Sequence, residues 1–391
     1  MTPAPTQGAR VVAREDELRE VATQAAAAPR VAVDLEASGM FTYRARICTV
    51  QLAWGSDQVF VVDAMQAPVG ALGALLGVSG PVKIVHDVAF DARLLAEVGV
   101  ELGNVHDTSL AARMLGRTAT GLASLLESEL GLQITKDMQQ YDWRLRPLDE
   151  RMLGYLARDV THLHALDDKV WGEVVEHGIV DEVIEETRYR LASAVQAVRQ
   201  PEVEPPYTRI KGVERLAERD LAVLRAVADL REREAMERDV PPYRVATNAA
   251  LLAVVTARPT TTAQFFRVPG VARGSPEAVR FAERVLRAVP EAGDTLPPEE
   301  RARFERPRPP AAVTRARRER ETRLLAWRRE EAKRRSVDEQ VVLPGHCVKD
   351  AVEDELSAVA DLQRVAGIGA FRIARDGEAI VRALRGEAVA P

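Results

Sequence analysis

The sequence predicts an α/β domain, a mixed sheet with flanking helices, followed by small all-α modules. Three observations carry this reading. Short β-branched runs give way to alternating strand and helix patterns over roughly the first 170 residues. A proline-rich break follows near residue 200, and beyond it the pattern is helical and repeats itself. A chain of 391 residues is also too long for one ordinary domain.

Arg30 to Asp34, Ile47 to Trp54 and Gln58 to Asp63 are rich in β-branched and aromatic residues and read as strands. Turns at Ser38-Gly39 and Gly55-Ser56-Asp57 join them, so an antiparallel meander is expected. Gly70 to Leu76 reads as a short helix, Val82 to Val85 as a buried strand, and Ala89 to Val98 as a helix. From Ser109 to Val170 the pattern is mostly helical. Prolines 201, 205 and 206 mark a linker between Arg199 and Tyr207. A second break, Pro290 to Pro310, is dense in Pro, Arg and Glu and is expected to be extended.

The two helical stretches align with each other. Leu230 to Ala235 matches Trp327 to Ala332, and Phe265 to Val271 matches Leu362 to Ile368, both at an offset of 97 residues. Two matches at one offset indicate duplicated modules. Gly270 and Gly367 are expected in the turn between helices of each copy. The expected division is 1–205 for the α/β domain, 210–292 for the first module, 293–316 for a Pro/Arg-rich linker and 317–391 for the second module.

Composition narrows the class. The mix of 46% hydrophobic and 29% charged residues is that of a globular protein. Cys48 and Cys347 lie far apart and match no metal or redox spacing, which reads as two buried thiols in a reducing compartment. Met1 to Glu20 lacks the apolar stretch of a signal peptide, and no run reaches the ~20 apolar residues of a membrane span. A cytoplasmic location without membrane contact is the expectation. The net charge of −5 averages over uneven segments: residues 301–335 hold 14 Lys or Arg against 5 Asp or Glu. That stretch reads either as a nucleic-acid contact or as a solvated helix face.

The chemistry lies in the acids. Asp34 and Glu36 stand two apart at a strand end, so both point to one face. Such a pair repels itself unless a cation sits between, and hard oxygen ligands suit Mg²⁺ or Mn²⁺. Asp91 falls in the first turn of the helix after the Val82 strand, with Asp87 as a competing neighbour. Tyr155 and Asp159 are four apart on a helix and share a face. His162 and His164 do not share a face and have no zinc-ligand spacing, so both read as structural.

Together, Asp34 with Glu36, Phe90 with Asp91, and Tyr155 with Asp159 resemble the three motifs of the DEDDy 3′→5′ exonucleases, and within them the ribonuclease D family. Lys136 and the stretch Tyr141 to Leu148, with Trp143, Arg146 and Pro147, resemble that family's segment before the third motif. The duplicated modules resemble HRDC domains. The resemblance implies a ribonuclease H-like exonuclease domain followed by two small all-α HRDC domains.

It also implies a metal-dependent 3′→5′ exoribonuclease that releases nucleoside 5′-monophosphates. Asp34 would bridge two divalent ions, Mg²⁺ or Mn²⁺. Glu36 and Asp159 would hold the ion that activates water, Asp91 the second, and Tyr155 would orient the water and help take its proton. His86, Phe90 and Trp143 are the expected substrate contacts. Single-stranded 3′ ends of RNA, tRNA precursors among them, are the expected partners. The first motif departs from the family in Leu35 and Ala37, with Met40 or Phe41 in place of its aromatic. A DNA-directed exonuclease with the same site and a non-catalytic nucleic-acid-binding scaffold are the alternatives.

Overall fold

Ile47 to Trp54 is buried at every position, the mark of a strand covered on both faces. It is the third of six strands in one sheet. The computed structural model describes residues 8–55, 57–134, 138, 140–200, 204–304, 309–354 and 356–387. Lys136 and the linker residues 201–203 lie outside these. The chain divides into two compact units: the described residues of 1–36, 47–201 and 309–391 form one, and those of 37–46 and 202–308 the other.

In the first unit the strands are β1 (Arg10–Val12), β2 (Arg30–Ala37), β3 (Ile47–Trp54), β4 (Gln58–Asp63), β5 (Val82–Val85) and β6 (Val105–Asp107). Their order across the sheet is β1-β4-β3-β2-β5-β6. β3 and β4 pair antiparallel through a turn in which Gly55 takes φ 66°, a value that favours glycine. β5 runs parallel to β2 and to β6, so these three strands end on the same side of the sheet. The short edge strands β1 and β6 escaped the sequence reading because three residues carry no periodicity.

The helices of this part are α1 (Glu15–Ala26), α2 (Gly73–Leu76), α3 (Ala89–Glu97), α4 (Thr108–Met114), α5 (Leu122–Leu130), α6 (Glu150–Thr161), α7 (Leu163–Glu176) and α8 (Val180–Arg199). Leu110 of α4, Leu126 of α5 and Val170 of α7 join Ala32 and Ile84 of the sheet in one apolar cluster. No helix among the described residues is long and apolar enough to cross a membrane.

The second unit contains α9 (Glu218–Glu237), α10 (Pro242–Val245), α11 (Asn248–Ala257), α12 (Thr262–Phe265), α13 (Pro276–Glu291) and α14 (Pro298–Phe304). Residues 293–316, expected as an extended linker, therefore include a helix. Pro298 starts it, Glu299 and Glu300 favour its N-terminus, and Glu300 accepts hydrogen bonds from Arg225 at 2.9 Å and Tyr207 at 2.8 Å. Pro290 lies in the last turn of α13 without ending it early.

The second helical set comprises α15 (Ala311–Arg335), α16 (Glu339–Val342), α17 (Gly345–Glu353), the 3-10 helix Val359–Arg364 and α18 (Ala370–Arg385). It starts at Ala311, ahead of the expected 317. α16 and α17 begin 97 residues after α10 and α11, and the 3-10 helix begins 97 after α12. Gly270 and Gly367 occupy matching turns at φ 80° and 89°. Arg231 and Arg328 are buried at matching positions.

This second set belongs to the same unit as the sheet. An ionic cluster ties it to α8. Arg375 grips Glu182, Arg372 reaches Glu186 at 2.8 Å, and Arg335 lies 3.4 Å from Glu182. Glu185 accepts the Phe371 N–H at 3.0 Å. Glu182 and Arg372 are almost fully buried, so neither charge has water to fall back on. Glu182→Ala takes one buried carboxylate from Arg335, Arg372 and Arg375, which keep only Asp376 and Glu186, and we expect it to lower stability by ~3 kcal/mol, read as an earlier urea midpoint. A change below ~1 kcal/mol would contradict the arrangement.

Candidate active site

The parallel run of β2, β5 and β6 brings three strand ends together, which is where sites in such sheets form. The last turn of β2 presents Asp34 and Glu36 from alternate positions on one face. α6 supplies Tyr155 and Asp159. Its start is fixed by the Asp149 side chain, which accepts the Met152 N–H at 2.8 Å. One ligand oxygen from each of Asp34, Glu36 and Asp159 lies within 4.8 Å of the others.

Asp91 enters from the first turn of α3 and is buried. It stands outside the tight trio but close enough to Asp34 for their charges to interact. Asp87, its competitor, is exposed on the turn before α3, with φ 63°. That turn is held by a residue the sequence reading missed. Asp107 is completely buried at the end of β6. Its Oδ1 accepts N–H bonds from Asp87 (3.0 Å), Ser109 (3.0 Å) and Leu110 (3.1 Å), and its Oδ2 accepts that of Val88 (3.1 Å). One carboxylate thus caps α4 and pins the approach to α3. The signal was present as an Asp-Thr pair before a helical run, an N-cap pattern.

A second support lies under α6. Trp143 is fully buried with Met138, Met152 and Cys48, its ring centroid 5.5 Å from that of Tyr155. The expectation that Trp143 touches substrate therefore fails: neither ring face is open to a base. Its indole N–H lies near enough to lower the Glu36 pKa, yet falls short of full hydrogen-bond geometry. The Trp143 loop is anchored by Arg146, which binds both oxygens of buried Asp63 at 2.7 Å and the Cys48 carbonyl at 3.0 Å. Phe90 is exposed, as a substrate contact requires. His86 is half-buried, its Nδ1 2.9 Å from the Thr108 hydroxyl. His164 is 3.0 Å from the Ala53 carbonyl, in keeping with a structural role.

The electrostatics are those of acids forced together. Burial first, and then the neighbouring carboxylates, push Glu36 up to about 9. Burial and Asp34 push Asp159 up to about 8, opposed by Arg158 and the Tyr155 hydroxyl. Burial raises Asp34 to about 7 and Asp91 well above the usual carboxylate range. Burial, followed by Asp159, Glu36 and Asp34, also raises the Tyr155 phenol. Tyr155 can therefore donate a hydrogen bond from its hydroxyl. The donor set is all oxygen, half-buried and mutually repelling, which fits hard divalent cations.

Comparison with known proteins agrees with this geometry. Residues 9–174 match the 3′-5′ exonuclease family and residues 220–289 the HRDC domain family. The chain is 31% identical over 329 residues to a ribonuclease D of Acidiphilium cryptum, covering 80% of each protein. It is 28% identical over 315 residues to that of Gluconacetobacter diazotrophicus, covering 78% of this chain and 77% of the relative. In fold it is similar to Escherichia coli RNase D, with a TM-score of 0.70 at 22% identity, over 97% of this chain and 99% of that one.

Asp107→Asn replaces one acceptor oxygen with a donor that faces backbone N–H groups. We expect a loss of ~1–3 kcal/mol and faster amide exchange at Asp87 and Val88. Exchange at wild-type rates would show that Asp107 does not hold the turn.

Proposed function

The chain belongs to the ribonuclease D family of 3′→5′ exoribonucleases, and from that premise we propose how its own residues carry out the hydrolysis. The observation that carries the reading is the trio Asp34, Glu36 and Asp159, with ligand oxygens within 4.8 Å and raised pKa values. Asp34, Glu36 and Asp159 would together hold a divalent ion, Mg²⁺ or Mn²⁺, and Asp91, facing Asp34, would help to hold a second. When bound, such ions supply hydroxide at neutral pH and neutralise charge on the leaving oxygen.

The rest is the work of the chain. Tyr155 donates a hydrogen bond that orients the attacking water, while buried Trp143 and the Asp149 cap hold α6 in place. Water attacks the last phosphorus, the bond from phosphorus to the preceding 3′ oxygen breaks, and a nucleoside 5′-monophosphate leaves. The exposed ring of Phe90 stacks on the terminal base, and His86 lies by the sugar or phosphate. The E. coli relative is described as an exoribonuclease involved in structured RNA processing. The same class of substrate is proposed here: single-stranded 3′ extensions of small structured RNAs, tRNA precursors among them. The second helical set is proposed as a second HRDC domain on the strength of its element-by-element match to the first. The cytoplasm is the proposed location.

The test is turnover of 5′-labelled single-stranded RNA with Mg²⁺. Asp34→Asn is expected to fold and to lose on the order of 10³-fold or more in rate, as removal of EDTA-chelatable metal does. Tyr155→Phe is expected to bind metal normally and to lose ~10²-fold in kcat. A folded Asp34→Asn protein that shortens RNA at the wild-type rate would remove the site assignment. An unchanged rate in Tyr155→Phe would remove that residue from the reaction.

A further inference from the structure

We infer that a groove wholly within the second unit binds single-stranded RNA. The choice of RNA rests on the exoribonuclease reading. The groove has a volume of about 820 Å³, enough for more than one nucleotide. Tyr43 and Arg44, from the segment 37–46 that follows directly on Glu36 in the chain, line one wall, and the first helical set with the stretch Glu204 to Ile210 before it lines the other.

This wall is built, not loosely draped. Tyr43 packs against the apolar core of the unit, and its backbone N–H donates to Asp239 at 3.2 Å. Arg46 donates to the same carboxylate at 3.0 Å. The Tyr243 hydroxyl donates to the Met40 carbonyl at 3.1 Å, and Arg244 lies 5.1 Å over the Phe41 ring. The groove is thus held open from both sides in the protein as it stands.

The lining has the chemistry of a single-strand track. Tyr43 and Tyr243 offer two rings, and Tyr243 is more than half exposed. The two carboxylates present are already engaged. Glu232 pairs with Arg231 at 3.2 Å and accepts from the Tyr43 hydroxyl, and Glu204 pairs with Arg303 at 3.7 Å. Arg44 and Arg209 are exposed and, among the described residues, have no carboxylate partner. Asn248 gives its carbonyl oxygen to Arg231 at 2.6 Å, which leaves its NH₂ group as a donor. Two cations, two rings and an amide, beside two acids that are already paired, describe a ligand with phosphates and stackable bases. An apolar helix would leave the Arg44 and Arg209 guanidinium groups without an anion.

The experiment uses the full chain and a 12-nucleotide single-stranded RNA, with a dinucleotide as the short substrate. Binding is read by fluorescence anisotropy in EDTA across a salt series, and turnover in Mg²⁺. For Arg44→Glu with Arg209→Glu, two phosphate contacts are lost. The 12-mer should bind at least ~10-fold more weakly, with a log–log salt slope flatter by ~1.4. Tyr243→Ala should weaken binding ~10-fold with the slope kept, and Tyr243→Phe should restore it. Turnover should change through KM on the 12-mer, and kcat/KM on the dinucleotide by less than ~2-fold. Unchanged 12-mer affinity and slope would overturn the groove, as would an equal loss on both substrates. Failure of the exoribonuclease reading looks different: wild-type protein that binds the 12-mer but never shortens it.

Discussion

Four carboxylates facing one another, Asp91 buried and Asp34, Glu36 and Asp159 half-buried, set the terms for this protein. Each has lost part of its water, and the neighbouring charges add to the cost of ionising them. Such a cluster is stable only when protonated or when cations sit among the oxygens. Much of the surrounding structure serves to hold the acids there against their repulsion. The parallel strands β2, β5 and β6 end together, Asp107 fixes the turn before Asp91 with two backbone bonds while two more cap α4, and Arg146 with Trp143 braces the helix that carries Asp159.

What could be read from the sequence followed its periodicities. Asp34 with Glu36 obeys the two-residue repeat of a strand, and Tyr155 with Asp159 the four-residue spacing of a helix, so both pairs were visible before any tertiary information. Arg146 was harder: its partners are Asp63 and the Cys48 carbonyl, 83 and 98 residues away, and no local pattern encodes such bonds. Asp107 showed only its N-cap to α4, whereas its bonds from the Asp87 and Val88 N–H groups span 20 and 19 residues. Trp143 was misread for a related reason. An aromatic beside an active-site motif looks the same in sequence whether it stacks on substrate or fills the floor beneath a catalytic tyrosine, and burial alone separates the two.

The Pro/Arg-rich stretch shows the opposite error. Proline density suggested an extended linker, yet Pro298 stands at a helix start, where its missing N–H costs nothing. The duplication was legible because each copy needs the same apolar spacing and the same left-handed glycine in its turn. What the copies do with their outer faces was not legible. The first packs residues 37–46 against itself through Tyr43 and Asp239. The second has placed Arg372 and Arg375 on α18, where they meet Glu182 and Glu186 of α8. Equivalent cores have thus acquired different polar partners.

The most direct test of the account is proton release on metal binding. Carboxylates raised to about 7, 8 and 9 keep protons in the metal-free protein at pH 7, and cations must displace them. The measurement is calorimetric titration of the metal-free protein with Mg²⁺ or Mn²⁺ in buffers of different ionisation heat. The account predicts release of roughly two to three protons at pH 7, with affinity rising from pH 6 to 9. Binding without proton release and with no pH dependence would contradict it.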